Sequence, residues 1–286
     1  MTRRSFVDVP EGWVREEAKG LGPFVTAETF RRPDGLVVRW ESRRFRKRGT
    51  GPAGSTWWAP RAVGWWIGVL FAVGSTCFAL GALPAYAQAV GTRADNLTFF
   101  VGSLFFTSAA FLLYLEVATT GVAPGRGNRW RALWRVSPAR IDWWASLVQL
   151  VGTLFFNLST GHALLGTFTD PTSANHAVWR PDVFGSICFL VSSWLSWAEV
   201  SDGWWSWRPR LVSWWIAALN LAGSIAFGVS AVASKVQPDG DLRSLGLTNL
   251  GTFVGALCFL AGSVLLFPER TAGDGDGVPV PAAAPA

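Results

Sequence analysis

The chain has 286 residues and a formal net charge of +6; half of it is hydrophobic and only 15% is charged. So few charges cannot cover an ordinary soluble surface, and they crowd into the N-terminal region and a few short loops. Composition therefore excludes a soluble globular domain and points to a lipid bilayer.

Residues 1–56 read as a basic cytoplasmic segment, too short for a large core of its own. Within it, apolar and polar residues alternate on either side of Arg32-Pro33-Asp34-Gly35. Pro presets φ and Gly accepts a positive φ, so this stretch predicts a small β-hairpin. The run from Glu41 to Arg48 follows it and sets a cluster of cations just before the membrane, where anionic headgroups attract them. The position favours topology control or lipid contact over nucleic acid.

Six segments of roughly 20 apolar residues follow, about 64–86, 97–117, 142–165, 183–200, 211–233 and 248–267. They fall into three matching pairs, about 61–120, 139–200 and 210–269. A Trp pair opens each first segment (Trp65-Trp66, Trp143-Trp144, Trp214-Trp215), and Gly74, Gly152 or Gly223 comes eight residues after the second Trp. Phe78, Phe156 or Phe227 stands four further on. The second segments repeat the signal with Gly102 and Phe106, Gly185 and Phe189, Gly255 and Phe259; an acid follows fourteen residues after each glycine, at Glu116, Glu199 and Glu269. Such self-similarity is an internal repeat. The fold class expected is an all-α polytopic membrane protein: six transmembrane helices as three parallel-repeat hairpins, with a small cytoplasmic β-hairpin segment ahead of them.

Basic residues set the orientation. Of the 25 Lys and Arg, only Arg93, Arg180, Lys235 and Arg243 fall on the side opposite the termini. By the positive-inside rule both termini are cytoplasmic, in a bacterial inner membrane. Of the 18 Trp, only Trp179 falls on the outer side, which makes the cytoplasmic face an aromatic anchor and anionic inner-leaflet lipid its candidate partner. No cleavable signal peptide is visible. The tail, 270–286, is rich in Gly, Pro and Ala and reads as disordered.

The six glycines read as helix-packing positions, because small residues let transmembrane helices approach closely. A first-helix glycine lies about 12 Å from its Trp pair and a second-helix glycine about 21 Å from its acid. If Trp and acid share one interface, the two glycines of a hairpin are offset by about 9 Å and meet different neighbours. Cys77, Cys188 and Cys258 each follow a motif glycine by three residues and read as packing residues, not as disulfides.

Four amides are candidates for a polar cavity: Gln149 and Asn220, three residues before a motif glycine, and Asn96 and Asn249, six before one. The interfacial acids Glu116, Glu199 and Glu269 are expected to pair with Arg61, Arg140 or Arg210 as a clamp. His162, His176, Asp170 and Asp182 match no compact metal-ligand spacing. With two His and no nucleophile–base pair, neither an enzyme nor a cofactor is expected.

The Trp-rich starts and the strings Gln149–Thr160 and Arg180–Ser193 resemble the bacterial integral membrane proteins with YrhK-like domains, over about 57–269. That resemblance implies a membrane-helical fold and carries over no catalytic residue. The sequence thus supports a non-catalytic scaffold or a partner- or lipid-binding protein. The alternative is a small-solute transporter or channel built on a pseudo-threefold six-helix bundle.

Overall fold

A computed structural model describes residues 11–43, 57–119, 134, 136–201 and 203–269. The cations Arg44–Arg48, the loop arginines Arg126, Arg129, Arg131 and Arg135, and the tail 270–286 lie outside the described residues.

Three strands, β1 (Val14–Lys19), β2 (Ala27–Arg31) and β3 (Val37–Glu41), form an antiparallel sheet in the order β1-β2-β3. The β2–β3 hairpin sits where the Pro-Asp-Gly turn places it. Gly35 takes φ +83°, and Asp34 Oδ1 accepts from Leu36 N at 3.1 Å. The sequence reading missed β1, because VREEAK has no apolar alternation. It is held instead by pairing (Val14 opposite Arg31, Lys19 opposite Ala27) and by Arg15 reaching the buried Glu28 at 3.1 Å. Phe30 and Val25 fill the sheet's own small core with Trp13 and Ala18, while Leu21 clusters with Ile141 and Ala198 of the helices.

Six helices are long and apolar enough to cross a membrane: α1 (Val63–Gly81), α3 (Thr92–Thr119), α4 (Ile141–Leu165), α5 (Pro171–Ser201), α6 (Val212–Ala233) and α7 (Leu245–Glu269). A short helix, α2 (Pro84–Val90), lies between the first two. The expected first span to residue 86 therefore ends early. Pro84 cannot continue a helix, since its ring collides with the carbonyl four residues back, and Gly91 at φ +82° turns the chain into α3.

The loop expected over 166–182 is helical from Pro171 onward, with a π-helical turn at Asn175–Trp179. Asp170 caps this helix, accepting from Ser173 N at 2.9 Å, and that bond holds its carboxyl below the usual carboxylate range. The outer surfaces carry exposed Leu104, Phe111, Leu158, Phe184, Ile225 and Leu257. Apolar side chains facing outward while Ser75, Ser103, Thr153, Ser186 and Ser224 are buried is the distribution that a hydrocarbon solvent selects.

The helices pack in a closed ring. Hairpins α1/α3, α4/α5 and α6/α7 join through α3 on α4, α5 on α6 and α7 on α1. Each hairpin is held by a reciprocal exchange of glycine and phenylalanine. A Cβ on Gly74 would stand 3.1 Å from the Phe106 ring, and one on Gly102 2.9 Å from Phe78. The same contacts recur at 2.8 Å (Gly152 on Phe189), 3.2 Å (Gly185 on Phe156), 3.0 Å (Gly223 on Phe259) and 2.5 Å (Gly255 on Phe227).

The expected 9 Å offset is therefore wrong. Backbone meets backbone at the glycines, with Gly102 O 3.0 Å from a Cβ at Gly74, Gly152 O 3.1 Å from one at Gly185 and Gly255 O 3.0 Å from one at Gly223. The error lay in placing Trp and acid at one level. With the glycines level, each acid stands about 9 Å beyond its Trp pair, toward the N-terminal sheet.

The six Phe rings meet at the centre of the ring of helices in two triangles. Phe78, Phe156 and Phe227 have centroids 5.9–6.4 Å apart. Phe106, Phe189 and Phe259 have centroids 5.7–6.3 Å apart. Contacts of 4.9–5.3 Å join the triangles. All six rings are buried.

The hydroxyls after the motif glycines are buried too. Thr153 Oγ1 donates to Leu150 O at 2.7 Å within its own helix, whereas Ser224 pairs with Ser193 Oγ at 2.7 Å across α5/α6.

Glycine packing makes a direct prediction. Gly152→Val should destabilise the protein by about 1–3 kcal/mol through overpacking. Gly228→Ala, whose Cβ would meet only Leu190 at 3.4 Å, should leave thermal unfolding in nanodiscs within experimental error of wild type.

Candidate functional site

The end of the bundle facing the sheet differs from its centre. Above the Phe106–Phe189–Phe259 triangle lies a cavity of about 70 Å³. Its apolar floor is Phe259 and Phe71, and its polar wall includes Gln149, Asn220, Ser146 and Ser196. Arg43, Asp142 and Glu199 stand among its lining groups. The sequence dictates this arrangement. Phe71, Gln149 and Asn220 each lie three residues before a motif glycine, one turn up the same helix face, and two of those three positions are amides.

The four candidate amides do not come together. Gln149 Oε1 is 3.5 Å from Ser192 Oγ, and Asn220 Oδ1 would lie 3.0 Å from a Cβ at Gly262; both line the cavity. Asn96, near the start of α3, donates to Ala163 O at 2.9 Å. Asn249 is half-buried near the start of α7. Neither lines the cavity. The second-helix segments run from the far end toward the sheet, so a position six residues before their glycine lies on the other side of the phenylalanines.

The acids find different partners from those expected. Ser42 donates to Glu199 Oε1 at 2.5 Å. Arg43 grips Glu269 with both ends of its fork, Nε to Oε1 at 2.6 Å and Nη2 to Oε2 at 3.2 Å, in a pair whose side chains are 15% and 8% exposed. Arg140 bridges instead to Asp142, at 2.6 and 3.0 Å, and donates to Val117 O at 3.1 Å. Glu116 is buried beside Val117 and Ala118. Glu199 and Glu269 reach the N-terminal segment because the glycine register carries them past the Trp level. The residues just after β3 thus close over the cavity mouth, and sequence reasoning missed Ser42 and Arg43 because it treated the segment as separate from the bundle.

A second omission was legible. The indole N–H of Trp66, Trp144 and Trp215 donates to the carbonyl of Pro60, Pro138 and Pro209 at 2.9–3.0 Å. A Pro six residues before the second Trp of each pair is visible in the sequence and marks how the chain turns into each first helix. Within each pair the rings are edge-to-face at 4.8–5.0 Å.

The two histidines make local contacts. His162 Nδ1 lies 2.7 Å from Ala177 O, and His176 Nδ1 lies 3.0 Å from Arg180 Nη1. Among the described residues no three His, Cys, Asp or Glu gather as metal ligands.

Compared with protein-family models, with curated proteins and with solved structures, the chain matches none.

The Arg43–Glu269 pair should hold the sheet to the bundle. Arg43→Ala leaves a buried carboxylate short of a charged donor, at a cost of about 1–3 kcal/mol. Faster amide hydrogen exchange across β1–β3, with α1–α7 unchanged, is the expected reading.

Proposed function

We propose that this chain is a non-catalytic multi-pass protein of a bacterial inner membrane, a scaffold that engages lipid or a protein partner at its cytoplasmic face. In this reading both termini are cytoplasmic. The three hairpins are parallel repeats about an axis along the membrane normal, and the membrane domain is akin to that of proteins with YrhK-like domains. The charge asymmetry and the one-sided Trp distribution support the orientation. Trp58, Trp204, Trp205 and Trp207 are largely exposed at that face, placed to sit among headgroups beside the basic loops.

The observation that carries the reading is the double triangle of phenylalanines. It closes the centre with six apolar rings, so the polar cavity ends blind. A conducting path needs polar groups or a wettable constriction along its length; here the groups expected to line one are divided between the two ends. The cavity itself favours the second reading, a small-solute transporter that exposes Gln149 and Asn220 alternately to each side.

Flux separates the two. Full-length protein in proteoliposomes should leak protons, potassium and small neutral solutes at the rate of protein-free vesicles, and native mass spectrometry should show it retaining phosphatidylglycerol in preference to phosphatidylcholine. Saturable solute uptake would establish the transporter in its place.

A further inference from the structure

We propose that the blind cavity under Ser42 and Arg43 is a binding site for a small uncharged solute that both donates and accepts hydrogen bonds, an amide or urea in chemical class. Three observations lead there.

The first is the state of the charges. Each charged group lining the cavity already has a partner: Asp142 has Arg140, Arg43 has Glu269, and Glu199 has the Ser42 hydroxyl. An ion entering would shed its water against Phe71, Phe259 and Leu113 with no uncommitted countercharge to meet it, which is prohibitive in a low-dielectric site.

The second is the state of the amides. Gln149 engages only its oxygen, at 3.5 Å from Ser192 Oγ. Among the described residues the Gln149 NH₂ and both polar atoms of Asn220 are left without a hydrogen-bond partner, and both side chains line the cavity. Polar groups at membrane depth are expected to be satisfied, and these two have capacity left for a partner that both donates and accepts. The match is another carboxamide-like group, which offers N–H to the oxygen and C=O to the NH₂.

The third is size. A water needs roughly 10–15 Å³ of such space, so about 70 Å³ takes about five waters or one solute of about four non-hydrogen atoms. Acetamide and urea have that size. The apolar floor of Phe71 and Phe259 suits a methyl group or a flat face.

The site is a receptor without a passage. The ligand enters beside Arg43, and the phenylalanine triangles stop it. Binding does not depend on whether the protein transports, and the flux measurement therefore fails or succeeds independently.

Saturation-transfer NMR on the full-length protein in nanodiscs, with acetamide as the probe, tests the assignment. Transfer to the acetamide methyl should be present and suppressed by excess urea. It should fall about fivefold or more in Asn220→Leu, the change expected when a buried hydrogen-bond partner is removed. Asn249→Leu, at the opposite end of the bundle, should leave it unchanged and controls for non-specific contact with protein or lipid. Gln149→Leu, judged at matched thermal stability, gives a second reading should Asn220→Leu unfold. No transfer to acetamide, or transfer indifferent to Asn220→Leu and Gln149→Leu, overturns the proposal. Suppression by guanidinium but not by urea overturns the uncharged class.

Discussion

Everything in this molecule hangs on six glycines receiving six phenylalanines. Inside a bilayer, moving a side chain from lipid to protein gains little from the hydrophobic effect, because both environments are apolar. What remains is packing, and packing fails wherever a void or a collision replaces contact. A glycine opposite each ring supplies the hollow, and the ring fills it. At 2.5–3.2 Å from where a Cβ would stand, even alanine would force the partner to move. Edge-to-face ring pairs add about 0.5–1.5 kcal/mol each beyond simple contact, and here the rings meet in a closed set of six.

That one constraint sets the register of every hairpin, and the register has consequences at both ends. It brings Gly74 against Gly102, Gly152 against Gly185 and Gly223 against Gly255. It therefore carries Glu199 and Glu269 beyond the Trp pairs, to where Ser42 and Arg43 meet them. The N-terminal sheet is held over the bundle by acids that the glycines positioned. The cavity exists for a related reason. One turn above the glycines, Gln149 and Asn220 stand where the first hairpin has Phe71, and they leave space that two further rings would fill.

Much of this was legible in the sequence. The six apolar segments, the Gly and Phe spacing and the Pro-Asp-Gly turn are local signals, and the helices and hairpin formed where those signals stood. What was missed depended on relative placement. The offset between Trp and acid was visible as a difference of six residues, but the sequence cannot say which pair is level; the level pair proved to be the glycines, since only they permit backbone contact. The helix from Pro171 was hidden because its first turns are polar and lie outside the apolar run. Strand β1 was hidden because its partner supplies the order that its own pattern lacks. The amides were grouped by chemistry when chain direction placed them at opposite ends.

The central claim is that the middle of the bundle is closed to water while the space lined by Gln149 and Asn220 is polar and open toward the N-terminal sheet. Water-edited solid-state NMR on the protein in lipid, with labelled Phe rings and labelled Asn side chains, measures this directly. The account predicts rapid magnetisation transfer from water to the Asn220 carboxamide and none to the rings of Phe78, Phe106, Phe156, Phe189, Phe227 and Phe259. Transfer to those rings as fast as to Asn220 would mean that water crosses the centre, and the bundle would then be a path and not a plug.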